Sequence, residues 1–319
     1  MRYGVNRGCV NEAGLMNANK GFSRADAIIT VACVAFVLAQ VGIINAGGRD
    51  RSKREVCLAN LRMLTVAWKA YADDNAGKLV NGAPIAPGGS PPSGTCPAPP
   101  AGLSDQVRAI VPPITSAFYS MHKDELPWIG PAWAFGAEPW YSDRSQSECL
   151  QKVAIDTGAL WKYTGDYNIY RCPFGKKDAI VTYSIIDSMN GKYKWNFQGG
   201  SDNSPTMMPK NISQIKGASG RIVFIDEGTV GMDSYAVYSG SECWFDPPPV
   251  PHENGTCVSF ADGHSVYHKW KAKETIDFGS GDIYNAHPVT CNALNDLYWV
   301  QIGCWGGLLY TPSCPVNLE

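Results

Sequence analysis

From Ala27 to Ile44 the chain reads AIITVACVAFVLAQVGII, eighteen residues without a charge. At 1.5 Å per residue such a helix nearly crosses a bilayer, which takes about 17–25 apolar residues. No other stretch of the 319 residues comes close. A chain with such a segment must bury it in lipid or against other apolar surface. A secretory signal peptide would have a short basic start before its apolar core and a small-x-small cleavage site after it. Here the 21 residues before Phe22 are polar, and no convincing site of that kind follows the run. A lipoprotein cleavage before Cys33 is equally poor, because the apolar run continues past the cysteine. Flanking charge leaves orientation open: Arg2, Arg7, Lys20 and Arg24 precede the run, and Arg49, Arg51, Lys53 and Arg54 follow it.

Past Gly47-Gly48 a helical pattern resumes. Cys57, Leu61, Leu64, Trp68 and Tyr71 recur at spacings of three and four and make one apolar stripe. The pattern stops at Asp73-Asp74-Asn75-Ala76-Gly77, where Gly77 suits a left-handed cap. The acidic pair there lacks the spacing of a calcium loop. A helix from Phe22 to Asp74 would hold 53 residues and extend roughly 80 Å.

Residues 82–102 hold seven prolines and five glycines around Cys96 and read as an extended loop. Trp128, Trp133, Trp140 and Tyr141 follow in an irregular stretch, either as loop-rich core or as exposed stacking platforms for a sugar or a partner. Ser145-x-x-Glu148 is a capping box for a short helix that Gly158 can close. Asn168–Cys172, Thr182–Ile186, Arg221–Asp226, Cys257–Ala261 and Ser265–Trp270 are short β-branched or aromatic runs between turn-forming clusters, which predicts an antiparallel sheet. Asp262-Gly263 predicts a two-residue hairpin turn with positive φ at both positions. Residues 79–319 carry 16 Lys and Arg against 23 Asp and Glu. With a formal net charge of −2 for the whole chain, nothing suggests a nucleic-acid partner.

Eleven cysteines are scattered without any C-x2-C pair, so the spacing of a zinc ribbon or thioredoxin-like site is missing. Dispersed cysteines point instead to a disulfide framework and an oxidising compartment. His252, His264 and His268 lie near Asp262 and are the natural place for a metal or acid-base site. No carboxylate on the predicted strand joins His264 and His268, and neither a nucleophile elbow nor a phosphate loop occurs. This reading assigns no catalytic residue, metal or cofactor.

Two groups of residues carry a family resemblance. Lys20-Gly21-Phe22-Ser23-Arg24-Ala25-Asp26, directly before the apolar run, resembles a type IV prepilin leader. His252, nine further residues and Asp262-Gly263 resemble the H-x9-D-G domain of pilin-like proteins. CLANLRMLTVAWKAYADDNAGKL, GALWKY, IYRCP, SQIKGASGRIVFIDE and SFADGHSVYHKW resemble that family's blocks in the same order, covering about Gly21 to Lys273. The chain departs from the usual leader at Arg24, where an apolar residue is common, and at Asp26, where Glu is common.

The resemblance implies an α+β fold similar to the major pseudopilin of type II secretion, a long N-terminal helix packed on an antiparallel sheet. It implies a leader over 1–21, a transmembrane or filament-core half-helix over 22–48, an amphipathic half over 49–78 and a globular domain over 79–319. Cleavage and N-methylation would fall at Gly21 and Phe22, and Asp26 would meet the N-terminus of a neighbouring subunit. The implied function is that of a non-enzymatic filament subunit, anchored in the inner membrane before assembly into a periplasmic or extracellular filament. Its partners would be other copies or related pilins, the prepilin peptidase and the assembly machinery. A membrane-tethered extracytoplasmic binding module that never polymerises, with glycans as a candidate ligand, is the alternative. With Cys9 in the leader, Cys33 in the membrane and Cys57 on the helix stripe, Cys96, Cys149, Cys172, Cys243, Cys257, Cys291, Cys304 and Cys314 remain as disulfide candidates.

Overall fold

A computed structural model describes residues 24–83, 125–130, 148–191, 208–229 and 234–318; side chains are described from residue 48 onward within these ranges, apart from 149, 150 and 153. Helix α1 spans Arg24–Asp74. The chain divides into two units after Asp50. In the first, the described backbone is helix, and the side chains of the apolar run Ala27–Ile44 lie outside the described residues. Among the described residues no helix is long and apolar enough to cross a membrane.

The second unit contains a four-stranded antiparallel sheet in the order β1 (Tyr183–Ile185), β2 (Ile222–Asp226), β3 (Gly255–Phe260) and β4 (Ser265–Lys269). The register pairs Tyr183 with Asp226, Phe224 with Ser259, and Cys257 with Tyr267. Side chains alternate between the faces of a strand, so these residues share one face. That face meets α1: Thr65 Oγ1 lies 2.7 Å from Ser259 Oγ, and Ser265 Oγ donates to Leu58 O at 2.9 Å. Cys57, Leu61, Leu64, Trp68 and Ala72 are buried on this side of α1.

The opposite face is covered by a helix that the sequence did not announce. After Lys273 come α4 (Lys273–Ser280) and α5 (Cys291–Trp305). A Cβ on Gly303 would meet Ile222 Cδ1 at 2.5 Å, and the His268 ring stacks on Trp299 with centroids 3.7 Å apart. The sheet is therefore the middle of three layers. Every residue of β2 and β3 is buried, as expected for strands covered on both faces.

Two short helices, α2 (Glu148–Asp156) and α3 (Trp161–Thr164), lie between α1 and the sheet in sequence. Gly158 follows α2 where a Cβ would lie 2.5 Å from Trp128 O. The predicted strand Asn168–Cys172 is instead a 3-10 turn over Tyr167–Tyr170, because the Asp166 side chain accepts from Asn168 N and fixes the turn. Trp128 resolves to core: it is 1% exposed and packs against Tyr170 and Phe224. Trp133, Trp140 and Tyr141 lie outside the described residues, as does most of the Pro-rich stretch.

The hairpin at Asp262-Gly263 also differs from expectation. Gly263 alone has positive φ, at 111°. Gly263 N donates to Phe260 O, Phe260 N donates to His264 O, and the Asp262 carboxylate accepts from His264 N. This is a longer loop with the glycine at its end rather than a two-residue turn.

One disulfide, Cys291–Cys314, is present among the described residues. Cys172, Cys243, Cys257 and Cys304 are free and buried, which corrects the expectation that they pair. Each already has another contact: Cys243 Sγ reaches Trp244 O and His287, Cys304 packs beside Ser188, and Cys172 and Cys257 face the cluster described next. Cys57 is a buried free thiol, as expected. Cys96 and the Cys149 side chain lie outside the described residues.

Candidate metal centre

Where α1 crosses the end of β2, five chemically reactive side chains meet. Cys57 comes from α1, Cys172 from the loop after the 3-10 turn, Asp226 from the last residue of β2, His252 from the turn before β3, and Cys257 from β3. Cys57 Sγ donates to Asp226 Oδ2 at 3.2 Å. His252 Nε2 lies 2.7 Å from the same oxygen and 3.3 Å from Cys172 Sγ. One donor atom from each of Cys57, Cys172, Asp226 and His252 lies within 4.8 Å of all the others. Exposure of these four is 0, 0, 0 and 1%.

Local structure holds the donors in place. The other carboxylate oxygen of Asp226 accepts from Gly228 N at 2.8 Å, which leaves Oδ2 to the cluster. Cys172 N donates to Thr182 Oγ1 at 2.7 Å. His252 N donates to Gly255 O, and His252 O accepts from the Tyr267 hydroxyl. Phe174 packs edge-on against the imidazole at 4.7 Å. Lys53 and Arg54, one turn before Cys57, lie over the Phe174 and Tyr267 rings. Phe174 also lines a surface cavity of about 320 Å³, together with Glu227 and Pro251, the chain neighbours of Asp226 and His252.

Burial and mutual hydrogen bonds set the electrostatics of the cluster. Burial opposes a charge on His252, but hydrogen bonds to Asp226, Cys172 and Cys257 and the Asp226 charge outweigh it and raise its pKa to about 12. Burial pushes the Cys57 thiol well up, as do hydrogen bonds to Cys172 and Cys257. Cys257 is lowered to about 7, chiefly by its hydrogen bond with Cys57, with burial opposing and His252 assisting. Two buried polar atoms at the cluster lack a hydrogen bond of ordinary geometry, His252 Nδ1 and the Tyr183 hydroxyl. Tyr183 sits opposite Asp226 in the sheet, and burial followed by Cys57, Asp226 and Cys172 raises its pKa.

A test for closely spaced ligands in the sequence could not detect this cluster. This fold collects its members from positions up to 195 residues apart, Cys57 and His252 being the most distant of the four. The signal available in the sequence was His252 itself, together with cysteines on predicted strands. The H-x9-D-G residues do not form one site. His252 lies before β3 and Asp262-Gly263 after it, so the nine intervening residues are that strand and its ends. Asp262 binds His264 Nδ1 at 2.6 Å, and its carbonyl accepts from Lys69 of α1. His264 stacks on Phe260 and His268 on Trp299, apart from the cluster. Gly21 and Phe22 lie outside the described residues; Asp26 is within the helical backbone of α1, with its side chain outside them.

No protein-family model, curated protein or solved structure matches the chain.

Proposed function

We propose that the chain is a non-enzymatic subunit of a type IV pilus-like or secretion-pseudopilus-like filament, held in the inner membrane before assembly. The observation that carries this reading is the outer face of α1. Val56, Met63 and Val66 are 49, 43 and 62% exposed, roughly 150° around the helix from the buried stripe at 100° per residue. An ordinary surface helix is polar there. The sequence of the same helix contains the uncharged run Ala27–Ile44, which the leader resemblance assigns to the membrane before assembly and to the filament core after it. The occupant we assign to the outer face is the α1 of a second copy or a related pilin. Lys20-Gly21-Phe22 supplies the processing context and Asp26 the carboxylate that would meet the N-terminus of a neighbouring Phe22.

The test is assembly in cells that carry a prepilin peptidase and pilus machinery. N-terminal sequencing of assembled material should begin at Phe22, and electron microscopy should show filaments. Val66→Glu should leave the folded domain within about 0.5 kcal/mol of the original, as for an exposed site, yet reduce filament yield. Asp26→Ala should insert and be cleaved but assemble poorly. Intact Met1 in assembled material, or normal filaments from both variants, would reject the reading.

A further inference from the structure

We propose that Cys57 Sγ, Cys172 Sγ, Asp226 Oδ2 and His252 Nε2 bind one Zn²⁺ as a closed structural site that fastens α1 to the sheet. Four donors is the coordination number zinc takes in such sites, and two sulfurs, one nitrogen and one oxygen suit a borderline-soft ion. Calcium and magnesium need about six oxygens, and Asp226 has one oxygen left to give. In a tetrahedral zinc site neighbouring donors stand about 3.3–3.8 Å apart, from bond lengths near 2.0–2.3 Å. The separations of 2.7, 3.2 and 3.3 Å would need to open by under about 1 Å to reach that spacing.

Four protein donors would fill the tetrahedron and leave no coordination position for water, which distinguishes a structural from a catalytic zinc. The Tyr183 hydroxyl, buried beside Cys57 without a regular partner, would have a thiolate to donate to once the ion is bound, the kind of outer contact that tunes metal ligands. Binding requires ionised thiols and a neutral imidazole, so protons leave as the ion enters. The ion would tie together α1, the loop at Cys172, the end of β2 and the turn before β3. Nothing in this depends on whether the chain polymerises.

The full chain, purified without chelator and kept reduced, should contain one zinc per molecule by elemental analysis and lose that mass between native and denaturing mass spectrometry. Replacement by Co²⁺ should give a thiolate charge-transfer band and tetrahedral d–d bands. Cys57→Ser and Cys172→Ser should weaken or abolish the charge-transfer band, while Cys243→Ser, outside the cluster, should keep it. Wild-type protein that stays metal-free when titrated with Zn²⁺ would overturn the proposal. So would a Cys57–Cys172 disulfide in protein purified without reductant, or cobalt bands of an oxygen-only octahedral site. The wild-type measurements decide even if a ligand variant fails to fold.

Discussion

Ala76 stands at φ 54°, one residue before Gly77 at φ 79°, so α1 ends on two consecutive left-handed residues. Gly77 N closes the end by donating to Ala72 O at 2.7 Å, and Gly77 was legible as the stop because glycine takes this conformation freely. Alanine does not, and Ala76→Gly should raise stability by about 0.5–1 kcal/mol, relief of the left-handed strain exceeding glycine's entropy cost; a urea unfolding midpoint will read it. His268 shows the opposite case, a group whose state no pattern reveals. Burial, with Lys271 adding to it, depresses its pKa to about 4. The unfolded chain, with an ordinary histidine near 6.5, then takes up a proton that the folded chain refuses. The neutral ring's stabilising effect is therefore complete above about pH 6.5 and is lost as pH falls through about 4. NMR titration should place the His268 transition well below the ordinary range, and His268→Phe should flatten the loss of stability over that window.

Among elements, the clearest from sequence was the described second half of α1, whose stripe of Cys57, Leu61, Leu64 and Trp68 is the face that is buried. The strands at β1 to β4 were also visible as short runs. Both faces of β2 and β3 are covered, so alternation was weak there and composition carried the signal. The segment Asn168–Cys172 shows the limit: tyrosine and isoleucine suit a strand, but a single Asp166 contact turned the chain into a 3-10 turn. The contact between α1 and β3 is likewise invisible in either segment alone, since Thr65 and Ser259 are 194 residues apart. Thr65→Val should cost about 1–3 kcal/mol, because a buried serine hydroxyl loses its partner. Adding Ser259→Ala should cost less than the sum of the two single changes, a coupling that denaturation of the four proteins in the cycle will measure.

At the scale of the whole molecule, the sequence suggested many disulfides and no metal site, and the described structure contains one disulfide and a buried set of possible ligands. Cysteine counts cannot separate these outcomes, because both need thiols that only folding brings together. The Cys291–Cys314 link closes a loop with a sequence separation of 23, and removing both cysteines should cost about 3 kcal/mol by restoring freedom to the unfolded chain; thermal unfolding with and without reductant will test it. α5, the layer over the second sheet face, was missed because its apolar residues surround the helix instead of forming a stripe: Leu297, Tyr298, Val300 and Trp305 are all buried. The separation between His252 and Asp262 has a further consequence. β3 is a ruler whose two ends are anchored to different places, the cluster at one end and the turn under Lys69 at the other. Inserting one residue within it would transfer Cys257 and Ser259, or their partners in β4, from the α1 side to the α5 side. Inserting two would restore the alternation but lengthen the strand by about 7 Å, so one anchor would have to let go. Length variation between these two points is therefore excluded by geometry even where the individual side chains could change.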